Sequence, residues 1–371
     1  MPALPAVLLV LLALIAVLAT TFAPATQRPE HPDLGHLRLN QVQVIGTHNS
    51  YKAAIQPELF EIMLAHDPGS ASLDYAHPPI PEQLDLGVRN LELDLYNDPQ
   101  GGHYRRPLGH VILHGVGVAP LPFNVDGVMD EPGFKVMHDC NFDFRSNELR
   151  FVRTLEDLRD WSASNPGHLP VFVTMNLKGG RSPAPGGVAA VEWDTAAMRE
   201  LDRVLVKALG EENLITPDDV RGGHASLLEA IERDGWPKVD DVRGRFLFVV
   251  DHGGRVRDMY VDGNESMAGR PMFTSGPRGA PYGVFHIINE PIEQAETIEQ
   301  LVRAGHIVRT RADAGTHDMR SGDRTRFEAA MRVGAQVITT DYPVPDERHN
   351  AEYRVVFEDG TYARANPLLT P

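Results

Sequence analysis

Two acidic side chains, Glu92 and Asp94, form the pattern in the sequence that is best suited to chemistry. They alternate with leucines in the run Leu91-Glu92-Leu93-Asp94-Leu95, which is typical of a β-strand whose successive side chains face opposite ways. Both carboxylates would then share one face. Two carboxylates inside a protein are costly unless a cation compensates them, and oxygen donors without a Cys/His cluster favour Ca²⁺ or Mg²⁺ over Zn²⁺. The alternative is an edge strand that turns both acids to solvent.

Two histidines follow predicted strands on either side of this acidic pair. His48 comes shortly after residues 42–46, and His138 ends residues 134–138. A single histidine is more often structural than catalytic, and the chain has 16. Two histidines at the same ends of neighbouring strands, beside two carboxylates, predict proton transfer near neutral pH. The run 171–178 ends with an amide and an ammonium group, Asn176 and Lys178.

Eight short β-rich runs recur along the chain, and they must position these groups. They are residues 42–46, 88–96, 134–138, 171–177, 246–251, 284–288, 306–310 and 336–341. Helical periodicity is clear at 154–162, 194–209, 225–233, 292–304 and 324–333. The alternation predicts an α/β fold, a (β/α)8 TIM-type barrel, in which functional side chains lie at the carboxyl ends of the strands. An open doubly wound sheet would need a Gly-rich turn after its first strand, and Gly46-Thr47-His48-Asn49 is not one.

Composition excludes some functions and bounds the organisation of the chain. The formal net charge is −16, which is unsuited to nucleic acid, and the sequence has no polybasic cluster for anionic membranes. The single cysteine, Cys140, forbids an intramolecular disulfide. Residues 97–133, 179–190 and 262–283 are rich in Gly and Pro and are predicted to be loops, the first long enough to form a rim or lid.

Four segments are predicted. Residues 1–25 are apolar and predict a signal peptide or an N-terminal anchor, and hence a protein exported from the cytosol. Residues 26–39 predict a linker, and 40–350 the catalytic barrel. Residues 351–371 predict a C-terminal extension with a hairpin around Asp359-Gly360.

The motifs at the strand ends resemble those of one enzyme family. Thr47-His48-Asn49-Ser50-Tyr51 is similar to the "HN" motif after its first strand, and Leu91-Glu92-Leu93-Asp94 to the "ELD" of its second. Lys135-Val136-Met137-His138-Asp139 resembles the end of its third strand, and Ile338-Thr339-Thr340-Asp341 its last. The family is the phosphatidylinositol-specific phospholipases C, and the resemblance is greatest to its bacterial calcium-dependent branch.

The resemblance implies a phosphoric diester hydrolase or lyase that uses two histidines and one Ca²⁺ ion, with Mg²⁺ as the alternative ion. The implied ligands are Asn49, Glu92, Asp94 and Asn176. His48 would hydrogen bond to the phosphoryl oxygens, His138 would protonate the leaving alcohol, and Lys178 would bind the phosphate. A phospholipid or a glycerophosphoinositol-type compound would be the substrate, met in transient contact with a membrane surface. We expect a monomer.

Two departures leave alternatives open. The family usually has a glutamate in strand four where this chain has Asn176, and an amide can bind Ca²⁺ but brings no charge. In addition, Val111-Ile112-Leu113-His114-Gly115 resembles the "HG" around the second histidine of eukaryotic relatives, which makes His114 a competitor of His138. Other functions weighed are a glycerophosphodiester phosphodiesterase, whose H-R-G start is missing here, and a barrel that binds ligands without turnover.

Overall fold

Ten β-strands are found in the computed structural model, which describes residues 33–179 and 183–370. The predicted signal peptide and residues 26–32 of the predicted linker lie outside the described residues. The strands are β1 (Val42–Thr47), β2 (Asn90–Tyr96), β3 (Lys135–Val136), β4 (Val171–Lys178), β5 (Phe246–Val250), β6 (Phe273–Thr274), β7 (Phe285–Ile287), β8 (Ile307–Arg311), β9 (Val337–Thr340) and β10 (Ala363–Ala365).

Eight parallel strands form a nearly closed barrel in the order β6-β5-β4-β2-β1-β9-β8-β7. Long ladders join β2 to β4 and β1 to β9. The two ends of the order are β6 and β7, and between them the Gly276 N–H donates to the Phe285 carbonyl oxygen at 3.3 Å. The predicted α/β barrel is therefore confirmed.

Two of the predicted strand assignments differ from the structure. The run 134–138 was predicted as the third barrel strand, but β3 pairs antiparallel with β2 on the outside of the barrel order. The missing barrel strand is β6, inside the predicted loop 262–283. Because β6 is only two residues long, it is too short to show an alternating pattern. The run around β3 was mistaken for a barrel strand because its residues are mostly apolar and buried, like those of a core strand. Eight barrel strands were predicted and eight are present, but the run 134–138 is not one of them and β6 takes its place in the count.

The helices lie between the strands and pack around the barrel. They are α1 (Pro57–His66), α2 (Ile80–Leu86), α3 (Leu108–Gly115), α4 (Phe151–Ser164), α5 (Thr195–Leu209), α6 (Pro217–Arg221), α7 (Leu227–Arg233), α8 (Gly254–Val261), α9 (Ala295–Arg303), α10 (His317–Ser321) and α11 (Thr325–Arg332). The five predicted helices correspond to α4, α5, α7, α9 and α11. Within the described chain, every helix is too short or too polar to span a bilayer.

Both ends of the described chain pack against β1 or the core beside it. Leu34 and Leu39, in the segment predicted as a linker, are buried in the hydrophobic core. At the other end the Gly360 N–H donates to the Phe357 carbonyl oxygen at 2.9 Å, so the predicted turn is present. The strand after it, β10, pairs antiparallel with β1 rather than with a second arm of a hairpin. The C-terminal segment thus protects the part of β1 that precedes its contact with β2.

Gly46 is the point of closest approach between β1 and β2, and it predicts a stability effect. A Cβ atom at this position would lie 2.5 Å from the Asn90 Cβ and 2.9 Å from the Asn90 carbonyl oxygen. We expect Gly46→Ala to lower the free energy of unfolding by about 1–3 kcal/mol through overpacking, measured by urea denaturation. Gly223→Ala is the control, because a Cβ there meets nothing within 4 Å. Equal stability of the two variants would contradict the prediction.

Candidate active site

The candidate functional side chains meet at the carboxyl ends of the barrel strands. The strands β1, β2, β4, β5, β8 and β9 all contribute, either from within the strand or from the residue directly after it. The side chains are His48, Glu92, Asp94, Asn176, Lys178, Asp251, Arg309, Arg311 and Asp341. This end is where a parallel barrel carries its functional groups.

His48 is held by a buried carboxylate. Its Nδ1 atom lies 2.8 Å from Asp341 Oδ1, and the Arg311 guanidinium donates to Asp341 Oδ2 at 2.7 Å. Burial and the positive charge of Arg311 lower the pKa of His48, against the opposite effect of Glu92 and Asp341. Its Nε2 atom lies 3.8 Å from Glu92 Oε1, and the side chain is 20% exposed. The ring is thus oriented through Nδ1, and Nε2 is left for other contacts.

Asp341 is itself fixed by a second buried acid, Asp313. The Asp341 N–H donates to Asp313 Oδ1 at 2.9 Å, and the Thr340 hydroxyl donates to Asp313 Oδ2. Burial and the neighbouring charge of Asp341 raise the pKa of Asp313 to about 7. Burial opposes the ionisation of Asp341, but Arg311 and His48 outweigh it and hold the pKa of Asp341 below its usual range.

His138 has a matching arrangement. Its Nδ1 atom lies 2.9 Å from Asp143 Oδ2, and the fully buried Lys52 ammonium group donates to both Asp143 oxygens at 2.6 and 2.7 Å. The Lys52 Nζ atom also lies 5.1 Å from the centre of the Tyr75 ring. The Tyr75 hydroxyl in turn is 3.2 Å from His48 Nδ1. A buried chain of contacts therefore joins the two predicted histidines, although His138 lies after β3 rather than at the end of a barrel strand.

The two predicted carboxylates of β2 are each paired with a cation. Glu92 forms a buried salt bridge with Arg309, and Asp94 Oδ2 lies 2.8 Å from Lys178 Nζ. The Tyr51 hydroxyl donates to the same Asp94 oxygen at 2.7 Å. The other oxygen, Asp94 Oδ1, is buried without a hydrogen-bond partner among the described residues. Lys178 thus contacts a predicted metal ligand directly.

The amide residues of the predicted ligand set lie next to Asp94. Asn176 pairs with Asp94 in the β2–β4 ladder. Asn49 has a φ of 49°, a left-handed conformation that Asn tolerates better than most residues. Its Nδ2 group donates to the Tyr75 hydroxyl at 2.8 Å, and the Tyr51 hydroxyl lies 3.2 Å from its Oδ1 atom. These contacts orient the amide oxygen of Asn49 toward the Tyr51 and Asp94 side.

Oxygen donors of this kind fit a hard divalent cation. The unpaired Asp94 Oδ1 atom is a buried acceptor that a cation would satisfy. No three His, Cys, Asp or Glu side chains within residues 33–179 and 183–370 are already gathered in metal-binding geometry. Lys178 holds Asp94 Oδ2 and Arg309 holds one Glu92 oxygen, so the ion would compete with these two side chains.

Several members of the site were not found from the sequence. Asp143 lies five residues after His138 in an irregular segment, and Asp251 directly follows β5. Burial and the charges of Glu92 and Asp94 raise the pKa of Asp251 to about 7. Arg309 and Arg311 had a usable signal, because they alternate in a buried strand in the same way as Glu92 and Asp94. The competitor His114 is exposed on α3.

A cavity of about 530 Å³ opens beside His138. Its polar wall includes Asn176, Lys178 and His252. Its apolar lining includes Met63, Leu73, Leu177 and Val188. The cavity can therefore contact both a polar group and an apolar group of one ligand beside His138.

Asp313 predicts a pH dependence of stability. Its pKa is raised in the folded state, so its contribution is fully present below its unfolded pKa and is lost as the pH rises through about 7. Asp313→Asn removes this titration. We expect the free energy of unfolding of the wild type, relative to the variant, to fall by on the order of 2 kcal/mol between about pH 5 and pH 8. Denaturation curves at several pH values test this, and a constant difference would contradict it.

Solved structures with this fold include two phospholipases C. A calcium-dependent phosphoinositol-specific phospholipase C from the Gram-negative bacterium Pseudomonas sp. superposes with a TM-score of 0.54 and 16% identity, over 90% of this chain and 97% of that one. A Ca²⁺-dependent phosphatidylinositol-specific phospholipase C from Streptomyces antibioticus superposes with a TM-score of 0.50 and 17% identity, over 82% and 94%. At these identities the likeness shows the fold alone. No curated protein matches the sequence.

The family is shown by the sequence itself. The family described as "Phosphoinositide phospholipase C, Ca2+-dependent" matches residues 37–367, which is most of the chain. A phospholipase C is a phosphodiesterase, so the predicted enzyme class and the predicted Ca²⁺ dependence are confirmed at the level of the family. The chain belongs to the Ca²⁺-dependent phosphoinositide phospholipase C family.

Proposed function

We propose that this chain cleaves the phosphodiester bond of an inositol phospholipid and that His48 and His138 transfer the protons. The observation that carries the proposal is the matched environment of the two rings. Each histidine has its Nδ1 atom at 2.8 or 2.9 Å from a buried carboxylate, Asp341 or Asp143. Both rings are partly exposed, so each has a face toward solvent.

In this proposal His48 accepts the proton of the attacking hydroxyl. Asp341 occupies Nδ1, so Nε2 takes the proton as the hydroxyl oxygen forms its bond to phosphorus. The resulting imidazolium is stabilised by Asp341 and by Glu92, whose Oε1 atom lies 3.8 Å from Nε2. The protonated ring then donates a hydrogen bond to a phosphoryl oxygen as negative charge grows there.

In this proposal His138 protonates the leaving group. It gives its proton to the alcohol oxygen as the bond from phosphorus to that oxygen breaks. Asp143 stabilises the protonated ring, and Lys52 fixes Asp143 from the buried side. The cavity beside His138 offers an apolar wall on which the lipid part of the leaving group would lie.

The phosphate of the substrate is negatively charged, and Lys178 supplies a positive charge at the mouth of the barrel. Lys178 is 24% exposed and lies in the same cavity as His138, which makes it the cation best placed to bind the phosphate. Asn49, Glu92, Asp94 and Asn176 would hold the Ca²⁺ ion, which when bound lowers the pKa of a hydroxyl and stabilises charge on a phosphate oxygen. Binding of the phosphate by Lys178 would release Asp94 Oδ2 from its ion pair.

Removal of either histidine should abolish most activity. We expect His48→Ala and His138→Ala each to lower kcat on phosphatidylinositol by about 10²–10⁴-fold, because each ring transfers a proton. The measurement is release of inositol phosphate with Ca²⁺ and with chelator. His36→Ala is the matched control and should behave as the wild type, because His36 is exposed in the segment before β1, outside the site and the rim segment described below. Turnover that is unchanged in the His48 variant would exclude the mechanism.

Contact with the lipid surface is proposed for the rim segment, residues 107–125. This segment contains no Asp, Glu, Lys or Arg, in a chain whose net charge is −16. Five large hydrophobic side chains are strongly exposed in the described part of the chain, and four of them lie here. They are Val111, Val116, Leu121 and Val125. The rim segment follows β2 and packs on α1, at the mouth of the barrel. Apolar side chains without neighbouring acids suit insertion into a lipid surface.

Vesicle binding tests the rim segment. We expect Val116→Asp combined with Leu121→Asp to weaken binding to phosphatidylcholine vesicles containing phosphatidylinositol by about tenfold or more, from the lost apolar burial. Hydrolysis of a soluble short-chain substrate should be retained. Ile292→Asp is the control, because Ile292 is exposed but lies outside the rim segment. Equal binding by the rim variant and this control would exclude the segment as the lipid contact.

A further inference from the structure

Strand four brings an amide to the site, and a carboxylate lies on the neighbouring strand. The amide oxygen of Asn176 is an oxygen donor without charge. Asp251 directly follows β5, which is the other neighbour of β4 in the barrel. The position of Asp251 in the sheet decides whether its carboxylate can face the same cation as Asp94.

Strand register places Asp251 in one row with two predicted ligands. Asp94 pairs with Asn176 in the β2–β4 ladder. The β4–β5 ladder pairs Met175 with Val250, and the Asp251 N–H continues it by donating to the Met175 carbonyl oxygen at 2.8 Å. Residues in register on neighbouring strands point to the same face. Asp94, Asn176 and Asp251 therefore form a row across three adjacent strands, at the mouth of the barrel.

Unpaired carboxylate oxygens lie at both ends of this row. Asp94 is 1% exposed, and its Oδ1 atom has no hydrogen-bond partner in the described part of the chain. Within the same residues, the Asp251 carboxylate forms no hydrogen bond and no ion pair. Asp139 is different, because its Oδ1 atom accepts the N–H groups of Asn141 and Phe142. The buried Asp94 oxygen without a donor is costly unless a cation satisfies it, and the half-buried Asp251 carboxylate is open to the same cation.

The balance of charges at the mouth of the barrel also favours a cation next to Asp251. Glu92 and Asp94 are each matched by one cation, Arg309 and Lys178. With Asp251 the group has three carboxylates and two cations, which leaves one negative charge. When Asp251 is ionised, this extra negative charge attracts a divalent ion, and the ion in turn favours the ionised form.

We propose that Asp251 is a charged ligand of the cation site and that it binds Ca²⁺ together with Asp94. The proposal rests on the proposed function only in naming Ca²⁺ as the ion. It adds Asp251 to the ligand set predicted from the sequence. Asn176 then lies as a neutral donor between the two acids Asp94 and Asp251.

Calcium binding to the purified full chain tests the assignment without any measurement of turnover. Titration calorimetry gives the dissociation constant for Ca²⁺ of the wild type and of Asp251→Asn, a substitution that keeps the shape and removes the charge. We expect Asp251→Asn to weaken Ca²⁺ binding by about tenfold or more, as for a lost charged ligand. Asp262→Asn is the matched control and should change it less than twofold, since Asp262 is exposed after α8 and Asn suits its left-handed conformation.

A second variant moves the charge to the neighbouring strand. Asn176→Glu combined with Asp251→Asn should recover most of the lost affinity, because position 176 is in register with Asp251 and would again place a carboxylate in the row. Failure of the double variant to recover affinity, or Ca²⁺ binding by Asp251→Asn equal to that of the wild type, would overturn the proposal. Circular dichroism in chelator confirms that each variant folds.

The result is separable from that of the proposed function. A wild type that binds Ca²⁺ through Asp251 but does not cleave phosphatidylinositol leaves the cation site standing and removes the phospholipase activity. If the wild type cleaves the lipid while Asp251→Asn binds Ca²⁺ normally, the phospholipase activity stands and the assignment of Asp251 is removed. A wild type that binds no Ca²⁺ overturns the assignment of Asp251.

Discussion

Charge compensation of buried carboxylates is the constraint on which the mouth of this barrel depends. Asp94, Glu92, Asp143 and Asp341 are almost completely buried, and each is matched by a cation from another strand or loop. Removal of one partner of a buried ion pair typically costs about 3–5 kcal/mol, because the remaining charge stays buried. The pairs therefore tie the strand ends together, and stability and function share the same side chains.

The compensation is incomplete at the positions that face a ligand. Asp143 and Lys52 are fully buried and satisfy one another, so they form a rigid support for His138. Asp94 differs, because one oxygen is paired and the other is not. Such an arrangement separates the groups that fix geometry from the groups that exchange partners when an ion or a phosphate arrives. Both oxygens of Asp341 are occupied, by His48 and Arg311, so Asp341 belongs with the groups that fix geometry.

Local periodicity predicted most of the barrel, and it failed where tertiary contacts decide. The long strands and the helices α4, α5, α7, α9 and α11 carry repeated patterns over several residues, so their positions followed from the sequence, whereas the other six helices of the described chain were not predicted. The two-residue strand β6 has too few residues for a pattern and is a strand only because β5 lies beside it. The run around β3 has the composition of a core strand, but the antiparallel pairing of Val136 with Leu95 places it outside the barrel order.

The sequence by itself determined which chemical groups stand at the strand ends, because alternation and strand boundaries are local properties. His48, Glu92 and Asp94 were found in this way. The tertiary structure decided their partners: Arg309 meets Glu92 across 217 residues, and Asp341 meets His48 across 293. Pairings at such separations follow from barrel closure, which brings β8 and β9 beside β1 and β2. No local pattern encodes them, since the register of distant strands is set by the packing of the whole core.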